Sequence, residues 1–376
     1  FLPVIGGLQS ATFEIGKYLN GNNWNVSVIT NRYPRTLKSY ETISGLRVNR
    51  YTFLTNPFHY LRSGRIDLFF AWFLFKPVTL IKLIIKFIRF KPKVVNLHFP
   101  DHQLLECYLL MLLFRFKLII SLHGNEVERM RSLSKRSIRY YLYNKLFTSA
   151  VNITGCSKFL ANELQRNFKG RYTNKCFPMY NGVSEVFLTQ QLKLHKRDYI
   201  FCAARFAPIK GLDLIVKAAN NNIISKLLIA GGNENDLLKL EIPINDSITL
   251  LGSLSHDEIA HYLSVAEITV IPSRCETYGI FLAEAICCGS PVVATNVGGI
   301  PEVIALAIEK LSLNEKEIFN RWVKLVEPDV ESIRSGIQKI KSNNKIEDYI
   351  NIIPKIRSQF HWEKRLLAIQ QILISN

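Results

Sequence analysis

Short β-branched runs alternate with helix-like stretches along the whole chain, and this rhythm restricts the fold more than any other feature. "VSVIT" at 26–30, "KVVNLH" at 93–98, "KLIISLHG" at 117–124 and "SAVNITG" at 149–155 form a first series. After a break near residues 184–198 the pattern resumes with "YIFCAAR" at 199–205, "KLLIAGG" at 226–232, "ITLLG" at 248–252, "ITVIPS" at 268–273 and "PVVAT" at 291–295. Buried strands that alternate with helices build parallel sheets. Two such series, separated by the polar "TQQLKLHKRD", predict an α/β protein of two doubly wound domains facing each other across a cleft. The expected division is 1–185, 186–355 and a terminal helix, 356–376, returning towards the first domain.

The chain has 376 residues, 48% of them hydrophobic, enough for two cores. Its formal net charge of +18 is unevenly placed: residues 1–185 carry 27 Lys and Arg against 9 Asp and Glu, and residues 186–376 carry 21 of each. A basic first half suits an anionic partner. Seven cysteines without a C-x-x-C spacing suggest neither a disulfide framework nor a zinc site, so thiols in a reducing cytoplasm are expected. Residues 1–20 show no basic start followed by an apolar run and a cleavage site, so no cleavable leader is expected. The sequence opens directly on a glycine turn, where an apolar strand would be expected; the first sheet is therefore expected to lack its initial strand and the chain to be poorly soluble.

Two apolar stretches, 68–75 and 104–114, are shorter than the roughly 20 residues of a spanning helix, and Lys76 with Pro77 is expected to interrupt the first. Residues 78–90 place Lys82, Lys86 and Arg89 on one helical face and apolar side chains elsewhere, a pattern shared by helices that lie on lipid and by ordinary covering helices. A second basic stretch, 128–147, interleaves Arg129, Arg131, Lys135, Arg136, Arg139 and Lys145 with tyrosines. It is read as facing an anionic acceptor or membrane surface, against the plainer reading of a solvated helix. His98 and His102 stand four apart, but Pro100 between them disfavours a shared helical face, and no metal site is expected.

The residues with the most chemistry lie in the second series. Arg205 and Lys210 in "CAARFAPIKGLD" follow its first strand, ahead of a helix expected from about Leu212. Cations at a strand's carboxyl end suit a diphosphate, although isolated surface charges would look the same. In "SRCETYGIFLAEAICCGSPVVATNVGGIPEV" the chain is expected to turn at Gly279 and run as a helix from about Ile280 to Cys288, so the amides of Gly279, Ile280 and Phe281 become unpaired donors that attract phosphate. Glu276 precedes that cluster and Glu284 lies about one turn inside the helix. The two carboxylates can then reach opposite ends of a ligand built as sugar, diphosphate and ribose. The plainer readings are a solvated loop acid for Glu276 and a first-turn acid meeting the helix dipole for Glu284. A glycosidase pair is disfavoured, because a plain glycoside needs no diphosphate clamp.

With "PVIGGLQSATFEIGKYL", "LHGNE", "YNGV", "AARFAPIKGLD", "IAGG", the long stretch 250–304 and "KLVEPDVESI", most of the chain resembles the family 4 retaining glycosyltransferases of GT-B architecture, two Rossmann-like domains. The resemblance implies that Arg205 and Lys210 hold the donor diphosphate, Glu276 the sugar hydroxyls, Gly279, Ile280 and Phe281 phosphate and sugar through their amides, and Glu284 the ribose. It places Gly6 and Gly7 in a loop approaching the donor and His123 near the reacting sugar; Leu254 is assigned a place near the base. It further implies a UDP- or GDP-sugar as donor substrate, no metal or other cofactor, and a leaving phosphate that takes the acceptor proton on the same face. The expected acceptor is a polysaccharide, lipopolysaccharide or glycolipid, and the expected location is cytoplasmic, peripheral on the inner face of the plasma membrane. Nucleic acid is not expected as a partner. Competing readings are a nucleotide-sugar epimerase or hydrolase of the same architecture, and a non-catalytic basic protein that holds membrane or RNA. The sequence departs from the family pattern at 305–322, read as an inserted surface helix, and ends in "FHWEKRLLAIQQIL", a returning helix anchored by Trp362.

Overall fold

The computed structural model describes residues 7–54, 57–219, 224–238, 246–343 and 345–374. The chain divides into two compact units, Phe1–Met179 with Leu366–Asn376, and Tyr180–Arg365. The second unit starts a few residues ahead of the expected 186 because Tyr180–Ser184 is held by its elements: Tyr278 Oη donates to the Asn181 carbonyl at 2.9 Å and the Val183 amide to the Phe360 carbonyl at 2.8 Å. Gly182 faces the Trp362 ring, which a Cβ there would meet at 2.7 Å.

Among the described residues the first unit carries two sheets. β1 (Ser27–Asn31) pairs in parallel with β3 (Leu46–Tyr51), which pairs antiparallel with β2 (Tyr40–Ile43). The parallel second sheet has the order β4 (Val94–His98), β5 (Lys117–Leu122), β6 (Asn152–Gly155), β7 (Cys176–Pro178). Against the sequence expectation, Lys76 and Pro77 do not interrupt the apolar stretch before them: one helix runs Ile66–Phe90 through Pro77. The lost amide and ring clash are outweighed by anchors on both sides. Lys76 Nζ pairs with Glu106 at 2.7 Å and also donates to the Leu54 and His102 carbonyls, while Thr79 Oγ1 donates to Thr52 O at 3.0 Å. Desolvation by burial raises the pKa of Glu106 even with this lysine beside it.

Among the described residues the second unit carries one parallel sheet of β8 (Arg197–Ala203), β9 (Leu227–Ala230), β10 (Ile248–Gly252), β11 (Ala266–Ile271), β12 (Val292–Thr295) and β13 (Val323–Val326). The order is β10-β9-β8-β11-β12-β13, so the chain reverses its winding between β8 and β11. That switch point opens a crevice at the carboxyl ends of two neighbouring strands. Strands from Leu227–Ala230 and Val292–Thr295 are buried throughout, which explains their unbroken apolar runs. The 305–322 departure contains a helix, Leu313–Trp322, opened by a Ser312–Glu315 capping box; it buries Phe319 and stacks Trp322 on Tyr349.

Candidate active site

The loops after β8 and β11 bring Lys210 and Glu276 together at the switch point. Pro208–Lys210 form one 3-10 turn, and Gly211 follows at φ +65, where a Cβ would meet the Pro272 carbonyl at 2.0 Å. The Arg274 amide donates to Ile209 O at 2.8 Å, and its guanidinium grips Asp213 through two bonds of 2.7 Å. Arg274 holds the Asp213 carboxyl below its ordinary range, chiefly through those bonds. The loop carrying Lys210 is thus tied to the loop after β11. Lys210 Nζ meets Glu276 Oε2 at 2.5 Å, both side chains largely shielded. Arg205 stands two residues past β8 and is exposed; among the described residues no hydrogen bond or ion pair joins it to Lys210 or Glu276.

Gly279 adopts φ 95, a left-handed conformation, and caps the helix Ile280–Cys287 without a side chain of its own, so the first-turn amides receive no side-chain cap. Phe281 turns its ring inward against Phe201 of β8, with centroids 6.2 Å apart, leaving its backbone for any ligand. Ile280 is half-buried beside it. Glu284 follows one turn on; it is half-buried, and desolvation pushes its carboxyl up to about 8. The two glutamates therefore differ in kind: Glu276 is ion-paired, and Glu284 is an acid that favours its protonated form. Leu254 is half-buried in the turn after β10, just ahead of the Ser255–Glu258 capping box.

Sequence reasoning missed what fixes the Glu276 loop. Gly298, at φ +56, lies where a Cβ would come within 1.8 Å of the Glu276 carbonyl, and the Gly299 amide donates to that carbonyl at 2.9 Å. The paired glycines of "VGGIPE", Gly298 and Gly299, were the available signal.

In the first unit, Gly7 opens the helix Gly7–Gly21, and Gly6 lies outside the described residues. His123 directly follows β5, and its Nε2 lies 2.9 Å from Nδ1 of His98 at the end of β4, the rings stacked 5.2 Å apart. His98 thus partners His123 and not His102. Burial pushes His98 down to about 4; burial, then His98 itself, holds His123 well below the ordinary imidazole range. Glu126, fully buried, accepts from the His123 and Gly124 amides at 2.9 and 2.6 Å, so the acid of "LHGNE" shapes the loop. The basic stretch 128–147 is less available than its composition suggests. Arg129 and Arg139 both pair with the largely buried Asp101, Arg131 pairs with Glu128, and Tyr143 Oη donates to Pro100 O at 2.6 Å.

Charged loops at a parallel switch point, a capless helix start and an E-x7-E pair make up the geometry of the site. Residues 184–356 match the glycosyl transferases group 1, and residues 5–185 match Glycosyltransferase Family 4. The chain belongs to the family 4 glycosyltransferases. This glycosyltransferase is 25% identical to an uncharacterized glycosyltransferase of Methanocaldococcus jannaschii, covering 96% of this chain and 92% of that protein. It is 26% identical to the N-acetyl-alpha-D-glucosaminyl L-malate synthase of Bacillus anthracis, over 80% of this chain and 79% of the relative. Among solved structures, the sucrose-phosphate synthase of Thermosynechococcus elongatus superposes with a TM-score of 0.74 at 19% identity, over 98% of this chain and 92% of that one. HepE of Anabaena with UDP-glucose gives 0.70 at 14% identity, over 99% and 97%. The fold of the glycosyltransferase is accordingly α/β, of GT-B type.

Proposed function

We propose that this enzyme is a metal-independent, retaining glycosyltransferase that moves a sugar from a UDP- or GDP-sugar to a polysaccharide, lipopolysaccharide or glycolipid acceptor. The observation that carries the reading is the Lys210–Glu276 pair beside the capless start of the helix Ile280–Cys287. An entering diphosphate replaces the carboxylate as partner of Lys210 and leaves Glu276 to accept from sugar hydroxyls. Arg205 adds a second cation, the amides of Ile280 and Phe281 meet phosphate oxygens, and Glu284 accepts from the ribose diol. Solved relatives in the same fold hold UDP and UDP-glucose, which favours such a donor.

In the reaction the acceptor oxygen bonds to the anomeric carbon as the bond from that carbon to phosphate breaks. The acceptor proton passes to the departing phosphate oxygen on the same face, so the configuration is kept. Fixed cations and helix amides stabilise the charge that develops on the leaving group. His123, neutral at pH 7, is assigned a hydrogen bond to the transferred sugar.

A thermal-shift panel of UDP- and GDP-sugars, followed by a turnover assay with the donor that binds, tests the reading in chelator-treated buffer. One donor class should raise the melting temperature, and Lys210→Ala should lower turnover by about 10²–10³ while the protein stays folded. Turnover unchanged in Lys210→Ala, or strict dependence on an added divalent cation, would refute it.

A further inference from the structure

The helix Ile66–Phe90 is buried on one face and apolar on the opposite, exposed one. Lys76, Thr79, Leu83 and Phe87 recur at helical spacing and are buried against their own unit. Around the other side, Phe70, Phe73, Leu74, Ile81, Ile85 and Ile88 are exposed, Phe70 and Leu74 by about two thirds (67% and 65%). A helix covering a soluble domain turns polar groups outward. This one cannot rotate its apolar arc inward, because the Lys76–Glu106 pair and the Thr79 bond fix the opposite face.

At 100° per residue, Lys82, Lys86 and Arg89 fall together on one flank of the exposed apolar arc. The helix has one acidic side chain, Asp67, and it is paired with Arg65. Apolar side chains flanked by cations complement the acyl boundary and the phosphates of an anionic bilayer. The helix is long and apolar enough to cross a membrane by length and composition, but crossing would withdraw Lys76, Thr79, Leu83 and Phe87 from their partners. A helix lying in the interface keeps every one of those contacts.

We propose that the exposed face of Ile66–Phe90 docks the enzyme on anionic phospholipid, with Phe70, Phe73, Leu74, Ile81, Ile85 and Ile88 in the acyl boundary and Lys82, Lys86 and Arg89 on the phosphates. This does not rest on the proposed donor or reaction. The full chain is floated with vesicles of phosphatidylcholine alone or with about one third phosphatidylglycerol. The anionic vesicles should carry it and the neutral ones should not. Ile81→Asp with Ile85→Asp should reduce the bound fraction at least about tenfold, and Lys82→Glu with Arg89→Glu should remove the preference for phosphatidylglycerol. All four positions are exposed, so each variant should keep the wild-type melt. Binding to neither vesicle, equal binding to both, or self-association in solution that Ile81→Asp with Ile85→Asp abolishes would each overturn the proposal.

Discussion

At the carboxyl ends of β8 and β11, Lys210 and Glu276 form an ion pair at 2.5 Å; at those of β4 and β5, His98 and His123 share one contact of 2.9 Å, and burial disfavours the charged, doubly protonated form of either ring. Both sites occupy the same place in a parallel sheet, yet one displays charge and the other suppresses it. The difference follows from the supports. Around Lys210 and Glu276 the structure supplies loops bound by glycines and by Arg274, which hold the two charged heads against each other. Around the histidines it supplies Cys156, Gln103 and the fully buried Glu126, all bonding backbone atoms of the turns that carry the rings. Charge is kept where a diphosphate is proposed, and neutral hydrogen-bonding groups are kept where a sugar is.

The sharpest way to break this contrast is through the glycine that fixes the charged loop. Gly298→Val places a branched side chain at φ +56 with no room before the Glu276 carbonyl. The loop must move by more than an ångström, and misplacement on that scale costs about a hundredfold or more in rate. Turnover in Gly298→Val should fall by at least that factor, with loss of the donor-dependent melting shift. A variant that retains donor binding would show that the loop does not need this support.

The second test concerns the acid that the charged site does not pair. The Glu284 carboxyl stands at about 8 in the folded protein, above its ordinary 4.5, so the folded state holds a proton that the unfolded state releases between those values. Stability from this group is therefore lost as pH rises through that window. Glu284→Gln keeps the shape and removes the titration. Between about pH 5 and pH 9 the wild type should lose on the order of 4 kcal/mol that the variant does not, read as the pH dependence of the urea midpoint. Donor affinity should move oppositely, weaker in Glu284→Gln at high pH, because a carboxylate accepts from a ribose diol and an amide accepts less well. Parallel pH slopes for the two proteins would show that Glu284 ionises as an exposed acid does.

Much of this was legible in the sequence. The unbroken apolar runs found β9 and β12, and the turn at Gly279 with a helix from Ile280 appears where the glycine stands. The strands β2 and β3 fall outside the expected series, although "ETISGLRVNRY" alternates by burial and turns through Ser44 and Gly45 at positive φ. Local propensity ends the helix Ile66–Phe90 at Pro77, because it cannot see the Lys76–Glu106 pair that anchors the helix there. Pairings between distant loops, Arg274 on Asp213 or Gly298 beneath Glu276, have no local signature at all. The same limit applies to His98, which in sequence has a nearer histidine, His102, and in the fold a different partner.

His98 gives the smallest expected effect and tests the neutral half of the comparison. Its folded value of about 4 lies below the ordinary 6.5, so the unfolded chain binds a proton that the folded one refuses between those values. Stability from this group is present above about pH 6.5 and is lost as pH falls through the window, about 2 kcal/mol between pH 7 and pH 5. His98→Phe keeps a flat ring and removes the titration, so its stability should fall less over that interval, measured by urea unfolding at both pH values. His123 loses its imidazole partner in the same variant, and its ring 15N shifts should report a changed tautomer balance near pH 7. If the slope stays as steep and those shifts do not move, the two rings do not act as a pair, and the His123 turn is held by Glu126 and Cys156 without help from His98.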